Sequence, residues 1–122
     1  MSRIAAVILC ALVPTVPLAA QETPRSADAD LRAFAATVVE IGRIRDEIAV
    51  QMARPENKTV ERQSALQAEF QARTAAAIKG HGLTQERYDH LQVLVTTDED
   101  WRVVFERRLT AAKAAPRAAP TR

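Results

Sequence analysis

Residues 31–52, LRAFAATVVEIGRIRDEIAVQM, decide the fold class. Leu31, Phe34, Val38, Ile41, Ile48 and Met52 recur at the three- and four-residue spacing that puts side chains on one helical face. Ala35, Gly42 and Ala49 fill the same stripe with small residues. No proline interrupts the stretch, and the alternation that marks a half-buried strand is absent. The spacing predicts a helix from about Ala27 to Arg54, roughly 40 Å long at 1.5 Å per residue. Ser26 is read as its N-cap. Asp28 and Asp30 place negative charge in the first turn, where the peptide dipoles favour it. One residue conflicts with the stripe. Counted at about 100° per residue, Arg45 falls inside the apolar arc, so its stem must cover the bundle edge or its head must line a polar groove.

Beyond this helix, Arg54-Pro55-Glu56-Asn57 reads as a break, with Asn57 or Thr59 capping the next helix. That second helix is expected over about Lys58–Lys79. Its face is thinly apolar, carrying Val60, Leu66, Phe70, Ala77 and Ile78 beside Gln63, Gln67 and Thr74. Gly80-His81-Gly82 stops it, since either glycine can adopt the left-handed terminal conformation. Thr84 then caps a third helix, with Leu83 and Tyr88 placed as a hydrophobic staple and Tyr88, Leu91, Leu94 and Val95 facing inward. Thr96-Thr97-Asp98 separates it from a fourth helix over about Glu99–Lys113, whose inward residues are Trp101, Val104, Phe105 and Leu109. Two long helices joined by a short break predict an antiparallel hairpin with two shorter helices packed on it, a small all-α bundle.

The rest of the composition agrees. The chain has 122 residues, 48% hydrophobic and 4% aromatic, with three glycines, which bounds it to one small domain with a modest core. Residues 1–20, MSRIAAVILCALVPTVPLAA, read as a cleaved secretory signal peptide: Arg3, an uncharged apolar run, Pro14 and Pro17, then Ala19-Ala20. The run is short for a span of roughly 20 residues, so no stable membrane anchor is expected after cleavage. The expected cut after Ala20 makes Gln21 the first mature residue and discards Cys10. The mature chain then lacks cysteine, which excludes disulfides, thiolate catalysis and cysteine metal sites. Losing Arg3 also takes the formal charge from +2 to +1, too little to advertise a nucleic-acid partner. The organisation expected is therefore leader 1–20, polar lead 21–26, helical domain 27–113 and a disordered Pro/Ala tail 114–122, in a periplasmic or secreted protein.

The segment from Leu31 to Leu109 resembles a family of secreted bacterial proteins known as domain of unknown function 4168. The likeness rests on Phe34-Ala35, on Ile78-Lys79-Gly80-His81-Gly82-Leu83-Thr84-Gln85-Glu86-Arg87-Tyr88, and on Thr97-Asp98 followed by Trp101. The chain departs from the family pattern in lacking the proline after Asp98 and in carrying His90 two residues after Tyr88. The resemblance implies a small all-helical exported domain and no particular chemistry.

Candidate chemistry is sparse. His81 and His90 are the two histidines, with no further ligands at metal-binding spacing, and are read as solvated. Asp98-Glu99-Asp100 and Arg107-Arg108 are read as charges complementing the two ends of the fourth helix. Ser64, Thr74 and Thr84 have no evident base. The residues singled out for interaction or structure are Arg45, Gly82, Leu83, Thr84, Tyr88 and Trp101. No cofactor, metal, nucleic acid or small-molecule substrate is expected, and the chain is read as a non-enzyme. The favoured function is a non-catalytic envelope interaction or structural module, acting on an envelope protein or on itself. The alternative is a periplasmic chaperone-like or stress-response binder, since Leu83-Thr84-Gln85-Glu86-Arg87 is similar to the "LTxxQ" segment of such proteins, departing at Arg87.

Overall fold

The structure, a computed structural model, describes residues 21–116. The expected leader and positions 117–122 of the expected tail lie outside them. The described chain forms four α-helices: α1 over Asp28–Ala53, α2 over Val60–Gly80, α3 over Gln85–Thr97 and α4 over Glu99–Ala114, with a single 3₁₀ turn at Pro55–Asn57. The helices pack on one another as a small all-α bundle, and no strand occurs among the described residues.

α1 is the spine. Its C-terminal half pairs with α2 in antiparallel order, because Met52 meets Gln63, Glu47 meets Arg73 and Glu40 meets His81. Along the N-terminal half lies α4. Ala111 and Ala112 share a groove with Arg32 and Ala36, and Ala115 and Pro116 share the next with Val39 and Arg43. α4 therefore advances along α1 in the same sense, after α3 has carried the chain back past the start of α1. Because α1 touches both neighbours, its buried set is wide: Leu31, Phe34, Ala35, Thr37, Ile41, Ile44 and Ile48. Ala27, Leu66, Ala77, Ile78, Leu83, Leu91 and Trp101 complete the core. Phe34 is its aromatic hub, with ring centroids 5.0 Å from Tyr88 and 5.2 Å from Phe105 in tilted geometry.

The helix ends follow their local chemistry with one exception. Thr59, Thr84 and Asp98 cap α2, α3 and α4 by accepting from backbone N–H groups of the first turn. Ser26 does not cap α1. Its hydroxyl accepts from the Thr23 N–H at 3.0 Å and donates to the Thr23 carbonyl at 2.9 Å, closing a turn ahead of the helix. Ala27 takes the N-cap position without a side-chain acceptor, and Asp28 and Asp30 supply the first-turn charge. At the α1–α2 corner, the buried Asn57 donates to the Gln51 carbonyl at 2.8 Å, a second donor to an acceptor that also takes the Arg54 N–H at 3.2 Å. Its own carbonyl accepts from Gln63 at 2.6 Å. Val60, expected on the inner face of α2, is 79% exposed, since it sits in the first turn beyond the reach of α1.

Two hydroxyls inside the bundle differ. Thr37, fully buried on α1, donates to the Ala33 carbonyl one turn back at 2.7 Å. The buried Thr74 oxygen on α2 has no hydrogen-bond partner among the described residues. An unmet buried polar atom costs about 1–3 kcal/mol, and valine has the same shape without it. Thr74→Val should therefore raise stability by about 1 kcal/mol in urea titrations. A loss instead would show that the hydroxyl is satisfied.

Candidate functional site

The sequence motif Ile78 to Tyr88 builds the α2–α3 corner. Gly82 has φ +79°, the left-handed conformation that closes the helix end. Its N–H donates to the Lys79 carbonyl at 3.0 Å, and the Leu83 N–H donates to the Ile78 carbonyl at 3.2 Å. These are the two hydrogen bonds of a Schellman motif, and the buried Ile78 and Leu83 side chains lie at the positions whose apolar contact completes it. Thr84, next in line, accepts from the Arg87 N–H at 3.1 Å. Tyr88, half-buried, lays its ring against Phe34. Burial first, then Asp89, pushes its phenol pKa up, with Arg45 opposing. Trp101 is buried in the first turn of α4, where Asp98 anchors the backbone.

Below this corner, Arg87 holds the N-terminal lead. Its guanidinium pairs with both oxygens of Glu22 and donates to Asp30 at 2.7 Å. His90 lies 3.8 Å from Glu22 on the exposed side. The hydrogen bond from Arg87 holds the Glu22 carboxyl below its ordinary pKa. A group so depressed stabilises the folded state above the ordinary carboxylate range and loses that contribution as acid titrates it. Amide protection of residues 26 and 27 should persist at neutral pH and fade below that range. Arg87→Gln should remove it at neutral pH too, and unchanged hydrogen exchange in that variant would show that the clasp holds nothing.

A trough of about 470 Å³ lies where α1, α2 and the end of α4 diverge. One face of α1 floors it with Ala36, Val39, Glu40, Arg43, Ile44 and Glu47. α2 contributes Arg73 and His81, and α4 contributes Ala112 with Ala115 and Pro116 just beyond. The wall therefore mixes small or aliphatic side chains with Glu40, Arg43, Glu47, Arg73 and His81. His81 Nε2 lies 2.6 Å from Glu40, and Arg73 lies 2.6 Å from Glu47 and 3.6 Å from Glu69. The hydrogen bond to Glu47 raises the Arg73 pKa further above neutrality. Glu47 thus already faces the Arg73 guanidinium, and Glu40 faces the His81 ring. Among the described residues no group of three or more His, Cys, Asp or Glu is placed to hold a metal ion.

The corner and the caps coincide with a recognised sequence pattern. The family model for Domain of unknown function (DUF4168) matches residues 27–103. The chain belongs to this family. The match begins at Ala27, where the first helical turn starts, and ends two residues past Trp101. The α1 and α2 walls of the trough therefore lie in the family's domain, whereas Ala112, Ala115 and Pro116 lie beyond it. Neither the curated proteins nor the solved structures gave a match.

Within this domain the residues singled out in the sequence separate into two groups. Gly82, Leu83, Thr84 and Tyr88 converge at one corner, and Trp101 enters the same core. Arg45 joins neither the core nor the trough and is exposed. Around it the buried arc of α1 centres on Ile41, Ile44 and Ile48 and leaves Arg45 to one side. Ile44, which is not among the stripe of Leu31, Phe34, Val38, Ile41, Ile48 and Met52, is buried as well. His81 is not solvated either: it is part-buried against Glu40. Arg108 reaches Asp28 at 2.8 Å rather than serving only the end of its own helix. The residues missed by sequence reading are those of the trough. The signal was present, as Glu40, Arg43 and Glu47 alternate in sign along one helical face.

Proposed function

We propose that the chain is an exported, non-catalytic helical module that works by contact, in the periplasm or outside the cell, with another envelope protein or a second copy as its partner. The observation that carries this reading is the use to which the family motif is put. Gly82, Leu83, Thr84, Tyr88 and Trp101 each build a turn, a cap or the core. The motif makes a scaffold, and the ion-paired trough is the face that scaffold presents. The reading includes cleavage of residues 1–20 and needs no cofactor, nucleic acid or small-molecule substrate. Among the described residues no helix is long and apolar enough to cross a membrane, in keeping with release after cleavage.

A photo-crosslinking residue at Arg43 should capture one reproducible protein in intact envelopes. Ala112→Trp, which fills the trough, should abolish the adduct while leaving the helical circular dichroism unchanged. Absence of any adduct from Arg43, Val39 and Glu47 alike would remove the proposal. The chaperone-like alternative draws support from Val50, Val93 and Val103, which are 60%, 58% and 44% exposed. It requires protection of an unfolded client from aggregation at equimolar protein, and fails without it.

A further inference from the structure

We propose that Gln21 becomes the N-terminal residue and closes on itself as pyroglutamate, so that the mature chain carries an uncharged, blocked N-terminus. The inference rests on the export reading above, specifically on a cut between Ala20 and Gln21. The structure adds the setting. Next to Gln21 stands Glu22, whose carboxylate is gripped by Arg87 from α3. From Thr23 to Ala27 the chain is a closed turn, with reciprocal Thr23–Ser26 hydrogen bonds and an Ala27 N–H donating to the Thr23 carbonyl at 3.1 Å. Gln21 stands one residue outside that body, exposed and in irregular conformation. Its side chain is therefore free to turn back on its own amino group.

The chemistry is internal to one residue and needs no oxidant or co-reactant. The α-amino nitrogen of Gln21, in its neutral form, attacks the side-chain amide carbon Cδ. The new N–Cδ bond closes a five-membered lactam, the Cδ–Nε2 bond breaks, and the amide nitrogen leaves as ammonia with the proton given up by the attacking amine. Nucleophile and electrophile share one side chain, so only rotation about its own bonds is required, and the proximity is that of an intramolecular reaction. The fold does not oppose this, since none of the Glu22–Arg87 or Thr23–Ser26 hydrogen bonds involves Gln21.

The consequence is electrostatic and protective. A free ammonium at position 21 would be a second cation beside Glu22, competing with Arg87. The lactam removes that charge and leaves Glu22 to Arg87, with His90 alongside. It also denies a general aminopeptidase its free amine at the one residue that overhangs the clasp.

The test is intact mass and N-terminal chemistry on the full chain, leader included, exported by a bacterial host and incubated at neutral pH after purification. The expected product has the mass of residues 21–122 less one ammonia. It should be blocked to Edman degradation until pyroglutamyl aminopeptidase removes residue 21. Gln21→Asn, whose shorter side chain cannot close the same ring, should be cut at the same bond and keep both its ammonia and its free amine. A product beginning with open, Edman-readable Gln21 overturns the cyclisation and leaves the export reading standing. A retained leader, or a first residue other than position 21, overturns the export or cut-site reading and the cyclisation with it.

Discussion

Replacing Trp101 with alanine should remove about 3–5 kcal/mol of stability, the usual cost of emptying a buried tryptophan site. Trp101 is 3% exposed and sits in the core cluster with Leu31 and Leu91, both fully buried. A domain of this size folds with a margin of roughly 5–15 kcal/mol, nearer the lower end when the core is small. The variant should therefore be largely unfolded by moderate urea or mild heating. Trp101 is the chain's one tryptophan, so far-ultraviolet circular dichroism must replace fluorescence as the probe. Val103→Ala, two residues on and 44% exposed, should stay within about 0.5 kcal/mol of the parent and serves as the control. If Trp101→Ala cost less than the control, α4 would not be anchored by this side chain, and the bundle would be wrong where α3 and α4 meet α1.

The helices and most of their ends were legible because their signals are local. Proline at position 55, threonine at 59 and 84, aspartate at 98 and glycine at 82 each act within four residues, and each does in the structure what its chemistry favours. Ser26 fails for an equally local reason. Thr23 lies three residues before it and competes for its hydroxyl.

Features that stayed hidden depend on contacts between helices. The helical wheel that placed Arg45 within the apolar arc treats α1 as uniformly covered. In the fold α4 covers its first half and α2 its second, so the buried arc shifts along the helix. The pairs His81–Glu40 and Arg108–Asp28 join residues 41 and 80 positions apart, and no periodicity reports them. The trough has the same cause, since it exists only because three helices diverge at one level. Its charges were readable as a pattern on α1, but their partners were not.

The glycines give a second large effect, of opposite sign at two positions. Gly82→Ala should destabilise by about 1–2 kcal/mol, the cost of forcing an L side chain into left-handed backbone. Its φ of +79° creates that cost, and steric crowding does not, because a Cβ at position 82 meets nothing within 4 Å. Gly42→Ala should act the other way. Position 42 lies mid-α1 with ordinary helical backbone, and a Cβ there also meets nothing within 4 Å. Alanine is about 1 kcal/mol better than glycine inside a helix, through the smaller entropy lost on folding. Urea titrations of the two variants should therefore bracket the parent, with Gly42→Ala above it and Gly82→Ala below. Two variants shifted in the same direction would mean that backbone conformation is not what separates these glycines. The corner between α2 and α3 would then be held closed by something other than the left-handed residue the family motif places there.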